Sequence, residues 1–255
     1  FGIDFCDATA ALIVDQNVAN PLAVSETILL LPNNRAIKAM NEAFVRQAAP
    51  GLLLPRMVAI GDLALDEALG PMLDPLGADQ PVWPVINSAH RLMLLAELVT
   101  KYRPVGQPIT PAEALRLARN LAEMINELEI EEVAFERISE ITMEDDLAGH
   151  WQSSYGQLLD ILPAYRSELA KRKLLGPSER RNLLLDRLDA RLRDNPPARP
   201  VIAAGITTSA KAITRVLRRV ATLPQGAVIL PGVDLAMAED QWDALGPHPK
   251  GEGEL

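Results

Sequence analysis

Two short apolar runs, each cut off by a polar turn and followed by a helical repeat, constrain this chain more than any other feature. Thr27 to Leu31 reads Thr-Ile-Leu-Leu-Leu and stops at Pro32-Asn33-Asn34-Arg35, while Pro200 to Gly205 reads Pro-Val-Ile-Ala-Ala-Gly and stops at a polar turn over Ile206 to Ala210. A run without polar alternation suits a strand buried on both faces, as in a parallel sheet. From Ala36 the residues Ile37, Met40 and Phe44 recur at helical spacing, with Asn33 or Asn34 as N-cap, until Ala49-Pro50-Gly51. Lys211 to Ala221 repeats the pattern with Ile213, Val216, Leu217 and Val220. A further apolar segment follows each helix, at Gly51 to Ile60 and at Ala227 to Leu230, and Gly61-Asp62 is expected to open another helix over Leu63 to Leu69. Strand, helix and strand, twice over, predicts α/β architecture with one parallel sheet.

The stretch between the two units differs in character. Gly70 to Pro84 is rich in Pro, Gly and Asp and reads as a connector. Beyond it, Ser88 to Tyr102 carries Leu92, Leu95, Ala96 and Val99 on one helical face, and Thr110-Pro111 opens a helix through Leu121, Ile125 and Leu128 with Glu123, Glu127 and Glu129 at its solvated end. Two more helices are expected, about Leu147 to Arg172 and Ser178 to Arg193, before Asp194-Asn195-Pro196-Pro197. The expected organisation is a first α/β part over 1–87, an inserted helical domain over 88–193, a second α/β part over 194–245, and a tail at 246–255 leading to a further region of a longer protein.

Charge is unevenly placed along the chain. The net charge is −9, yet Arg166 to Arg219 holds 14 basic and 5 acidic residues. A chain that coats nucleic acid along its length is excluded by that balance, but one basic segment within an acidic body is not. With Cys6 as the only cysteine, neither an intramolecular disulfide nor an all-cysteine metal site can form here, which fits a reducing cytoplasm. No apolar stretch of membrane-spanning length occurs, so no membrane role is expected.

Motifs for common chemistries are missing. No glycine precedes a lysine, which rules out the phosphate-cradling G-x-x-x-x-G-K-[ST] loop, and neither G-x-S-x-G nor H-E-x-x-H is present. His90, His150 and His248 have no companions at metal-ligand spacing, and Asp66-Glu67 and Asp145-Asp146 fall where solvated helix or loop is expected. No catalytic and no metal-binding residues are therefore assigned.

Binding is a different matter. Pro32, Asn33, Asn34 and Arg35 form a polar turn at the carboxyl end of one strand, and Thr207, Thr208 and Ser209 occupy the equivalent place after another. Ligands of open parallel sheets bind along that edge, where helix N-termini offer free N–H groups. Arg180-Arg181, with Lys171-Arg172-Lys173 and the helical face of Arg215, Arg218 and Arg219, offers cations for phosphates, or simply a solvated surface. Trp151 and Tyr155, one turn apart, could stack bases or pack in a core.

These landmarks, in this order, resemble the N-terminal region of the AddB subunits of AddAB helicase–nucleases, in the alphaproteobacterial form. The likeness rests on Ile28-Leu-Leu-Leu-Pro-Asn-Asn-Arg-Ala36, Leu52-Leu-Leu-Pro-Arg-Met57 leading to Ile60-Gly-Asp-Leu63, His150-Trp151-Gln152, Pro177-Ser-Glu-Arg-Arg-Asn-Leu-Leu184, and the block from Pro197 to Gly232. It implies a superfamily-1 helicase-like fold, related to P-loop NTPases but degenerate, within a double-strand-break repair enzyme. Ala204-Gly205 stands where a motor would carry acidic residues, so the implied role is a channel for single-stranded DNA that docks on an AddA-like motor subunit. The resemblance also implies an iron–sulfur cluster and magnesium in a nuclease domain further along the parent chain, and none in these residues. The rival expectation is a helical protein-interaction scaffold that binds no nucleic acid.

Overall fold

A computed structural model describes residues 4–47, 51–61, 82–103, 106–140, 149–208, 210–234 and 236–245. Its centre is a four-stranded, all-parallel sheet built from β1 (Ile28–Leu31), β2 (Arg56–Ala59), β3 (Val201–Ala204) and β4 (Gly226–Ile229), in the order β2-β1-β3-β4. Ile28 pairs with Arg56 on one side and Val201 on the other, so the two expected units share one sheet. Both central strands are buried along their whole length, which is why their sequences show no polar alternation.

The sheet is covered on both faces. Alternate residues divide between them: Ile28 and Leu30 join Val201 and Ala203 in one core, while Leu29 and Leu31 join Ile202 and Ala204 in the other. The second core is closed by α1 (Phe5–Gln16) and α3 (Asn34–Gln47) through Ala10, Ile13, Met40 and Phe44; the short α2 (Ala23–Glu26) leads into β1. The first core is closed by the helices Pro177–Asp194 and Lys211–Thr222 through Leu184, Leu188, Val216 and Val220. From β1 through α3 the chain steps outward to β2, and from β3 through Lys211–Thr222 it steps the opposite way to β4. Parallel crossovers share one hand, so steps in opposite directions put their helices on opposite faces. The reversal lies between β1 and β3.

The helices α4 (Ser88–Lys101), α5 (Pro111–Ile130) and α6 (Gly149–Lys171), with the 3₁₀ turn Phe135–Glu140, enclose a separate core around Leu95, Ala118, Ile125, Leu162 and Tyr165. Asn87 caps α4 through Ala89 N–H, and Thr110 and Glu113 form a reciprocal capping box on α5. Arg91 is buried inside this bundle, donating to Tyr165 Oη at 2.9 Å and Asn126 Oδ1 at 2.8 Å. Tyr155 Oη donates to the Ile138 carbonyl, so this ring serves the core rather than a stacking surface. Helix α7 (Pro177–Asp194) follows the bundle in sequence but gives its leucines to the sheet, as does α8 (Lys211–Thr222). A last short helix, α9, spans Glu239–Ala244.

The chain enters and leaves the bundle at one place. Ile86 N–H donates to the Leu175 carbonyl and Leu175 N–H to that of Pro84, both at 3.0 Å. The helix expected over Leu63 to Leu69, most of the Gly70 to Pro84 connector, Asp145-Asp146 and the 246–255 tail lie outside the described residues. Among the described residues, no helix is long and apolar enough to cross a membrane.

Candidate functional site

A cavity of about 380 Å³ opens at the carboxyl ends of the strands, where the winding reverses. Open α/β sheets bind ligands at this position because the connections on either side diverge and leave a crevice. Pro32 and Gly61 contribute from the ends of β1 and β2, Thr207 and Thr208 from the turn after β3, and Arg181 from α7. Ile60, Ile130, Ile206 and Ile213 make the rest of the wall largely apolar.

Local sequence explains each wall. Proline ends β1, and the Pro32 carbonyl accepts the Gly61 N–H at 3.1 Å, which clamps the turns after β1 and β2 together. Gly205, with φ +71°, turns the chain sharply out of β3. Thr208 Oγ1 then accepts the Ala210 N–H at 3.2 Å, leading into α8, whose N-cap position is Ala210 and carries no side-chain cap.

Of the residues expected to bind a ligand, Pro32, Thr207, Thr208 and Arg181 meet at this cavity. Asn33, Asn34 and Arg35 are exposed at the start of α3 and do not line it. Asn33 is the helix cap: its Oδ1 accepts the Ala36 N–H at 2.9 Å. Ser209 lies outside the described residues. Sequence reasoning missed Gly61, Ile130 and Ile213; the glycine directly after an apolar strand was the available signal for the first.

Adjacent arginines part company on α7. Arg180 Nε donates to the Trp83 carbonyl at 2.9 Å, tethering the helix to the segment that enters the bundle. Arg181 has no hydrogen bond or ion pair among the described residues, and its Nε is fully buried. Burial pulls its pKa below the ordinary guanidinium value. It remains a cation, since arginine does not deprotonate in proteins.

The rest of the basic segment is largely committed elsewhere. Arg215 pairs with Glu132 and Asp186, and Arg219 Nε lies 2.9 Å from Asp189 Oδ1, so two of the three arginines expected to offer cations are tied to α7 and the end of α5, while Arg218 is exposed. Lys171 and Arg172 both pair with Glu168 within α6. Glu129 corrects the expectation of a solvated helix end. Its carboxylate is partly buried against the start of α7, where Oε2 accepts the Glu179 N–H at 3.2 Å, and burial followed by repulsion from Glu179 raises its pKa to about 7.

A cluster held by four cysteines does not fit a chain with one cysteine, and among the described residues no three His, Cys, Asp or Glu side chains come together. No protein-family model and no curated protein matches the chain.

Proposed function

We propose that this chain is a helicase-like, non-motor part of a cytoplasmic ATP-dependent helicase–nuclease subunit acting in double-strand-break repair and recombination. It guides single-stranded DNA across the carboxyl edge of its sheet and docks on an AddA-like motor subunit. The observation that carries this reading is that the ends of β1 and β3 lie side by side at the sheet reversal, with Pro32 and Thr207-Thr208 lining one cavity there. Exposed Asn33, Asn34 and Arg35 extend that edge onto α3. The adjacent entry and exit of the bundle support its reading as a domain inserted into the α/β fold. Iron–sulfur and magnesium chemistry belongs, in this reading, to a nuclease domain further along the parent chain.

Titration of the assembled complex with fluorescent single-stranded DNA at low salt tests it. Replacing Asn34 and Arg35 with alanine weakens binding, and affinity falls steeply with added salt because phosphate contacts release counterions. Equal affinity of variant and parent moves the reading to its rival, a protein-interaction scaffold. That rival has its own observation: an apolar groove of about 650 Å³ between α4 and α5, lined by Met93, Ala96, Ile109, Pro111 and Leu115.

A further inference from the structure

We propose that the cavity at the sheet reversal is a phosphate-binding site whose cation is Arg181. The guanidinium is the unusual group. Even the part-exposed Arg215 and Arg219 of this segment are matched by carboxylates, and an arginine drawn further from water needs an acceptor more, because an unpaired buried charge is costly. Arg181 has no such partner among the described residues; its side chain is half-buried, and its Nε is entirely shielded. The terminal nitrogens of the guanidinium are not shielded as Nε is, and an anion in the cavity supplies them with an acceptor.

The turn after β3 supplies further donors to the same cavity. Thr207 and Thr208 bring two hydroxyls, and Ala210 brings the start of α8, a 12-residue helix whose N-cap residue Ala210 gives no side-chain cap. A guanidinium fork, hydroxyl donors and a helix N-terminus lining one cavity from different elements suit a tetrahedral oxyanion with several terminal oxygens better than a flat carboxylate. The isoleucine and proline walls leave room beside it for the apolar body of a phosphate ester, since about 380 Å³ is at the small end of ordinary ligand pockets.

Two sources carry that group: a free phosphate ester such as a nucleoside monophosphate, or a backbone phosphate of a DNA strand. The site stands with either, so it does not depend on the strand-guiding reading.

Calorimetric titration of the purified chain with inorganic phosphate, thymidine monophosphate and an oligothymidylate tests the proposal, with Arg181→Met, Arg181→Lys and Thr207→Val alongside. Phosphate binds the parent saturably and raises its melting temperature with concentration. Arg181→Met weakens binding about tenfold or more, and Arg181→Lys, which keeps the charge but loses the fork, falls between. Displacement of phosphate by oligothymidylate identifies the source as a DNA backbone. Oligothymidylate that leaves phosphate in place identifies a free ester, and the phosphate site then stands while its share in strand guiding fails. No saturable phosphate binding by the parent overturns the proposal, as does parental affinity in Arg181→Met. Should circular dichroism show that Arg181→Met does not fold, parental affinity in both Arg181→Lys and Thr207→Val overturns it.

Discussion

A Cβ placed on Gly61 would stand 2.3 Å from the carbonyl oxygen of Pro32, far inside any real contact between carbon and backbone oxygen. The two residues are also joined by the Gly61 N–H, so the approach that forbids a side chain is the one that makes the hydrogen bond. Gly61→Ala must part the turns after β1 and β2 or distort one of them. The expected loss is about 1–3 kcal/mol, read from urea unfolding. Unchanged stability would mean that this edge yields easily and that Pro32 and Gly61 are not a fixed wall of the cavity.

Arg215 is the second point of leverage. It bonds carboxylates from two directions, Glu132 beyond α5 and Asp186 on α7, and so holds α8 to both. The side chain is 38% exposed, so water and salt screen its charge. Arg215→Ala is expected to cost about 1 kcal/mol at low salt and less at high salt, and a loss independent of salt would assign the effect to packing of its stem instead.

ATP turnover is expected to be absent from the purified chain. No glycine-bearing loop places a lysine against nucleotide phosphates, and the turn after β3 offers Ile206, Thr207 and Thr208 rather than acidic side chains to hold magnesium. Magnesium-dependent hydrolysis that follows the protein through successive purification steps would refute this.

How much of this was legible follows from the kind of signal each feature leaves. β1 and β3 are plain because a strand buried on both faces needs four apolar residues in a row, and Pro32 and Gly205 mark their ends. Helix α1 left a weaker mark: Ala10 and Ile13 face the core, but Leu12 beside them is 44% exposed, which blurs the apolar stripe. Arg180 and Arg181 are indistinguishable as letters. Successive helix positions point in different directions, so one reaches Trp83 and the other the cavity, and only packed neighbours decide which is paired. Glu129 misled for the same reason, since its surroundings come from α7, some 50 residues further along the chain.

Glu129 makes stability depend on pH in a direction opposite to that of an ordinary ion-paired carboxylate. In the folded chain its pKa is about 7, against an ordinary 4.5, because burial and Glu179 disfavour the charged form more than Arg91, the Glu179 N–H and Arg166 favour it. Between those two values the folded state holds the proton more tightly than the unfolded state, so this group lowers stability progressively as pH rises from about 4.5 to about 7, and its effect is constant above that. Glu129→Gln keeps an acceptor for the Glu179 N–H and removes the charge. The variant is expected to match the parent below about pH 4.5 and to exceed it by on the order of 1–3 kcal/mol at about pH 8, with the difference opening between those limits. Urea unfolding of both proteins across that range measures it. Parallel pH profiles would show that the carboxylate is hydrated in solution and that the start of α7 does not enclose it.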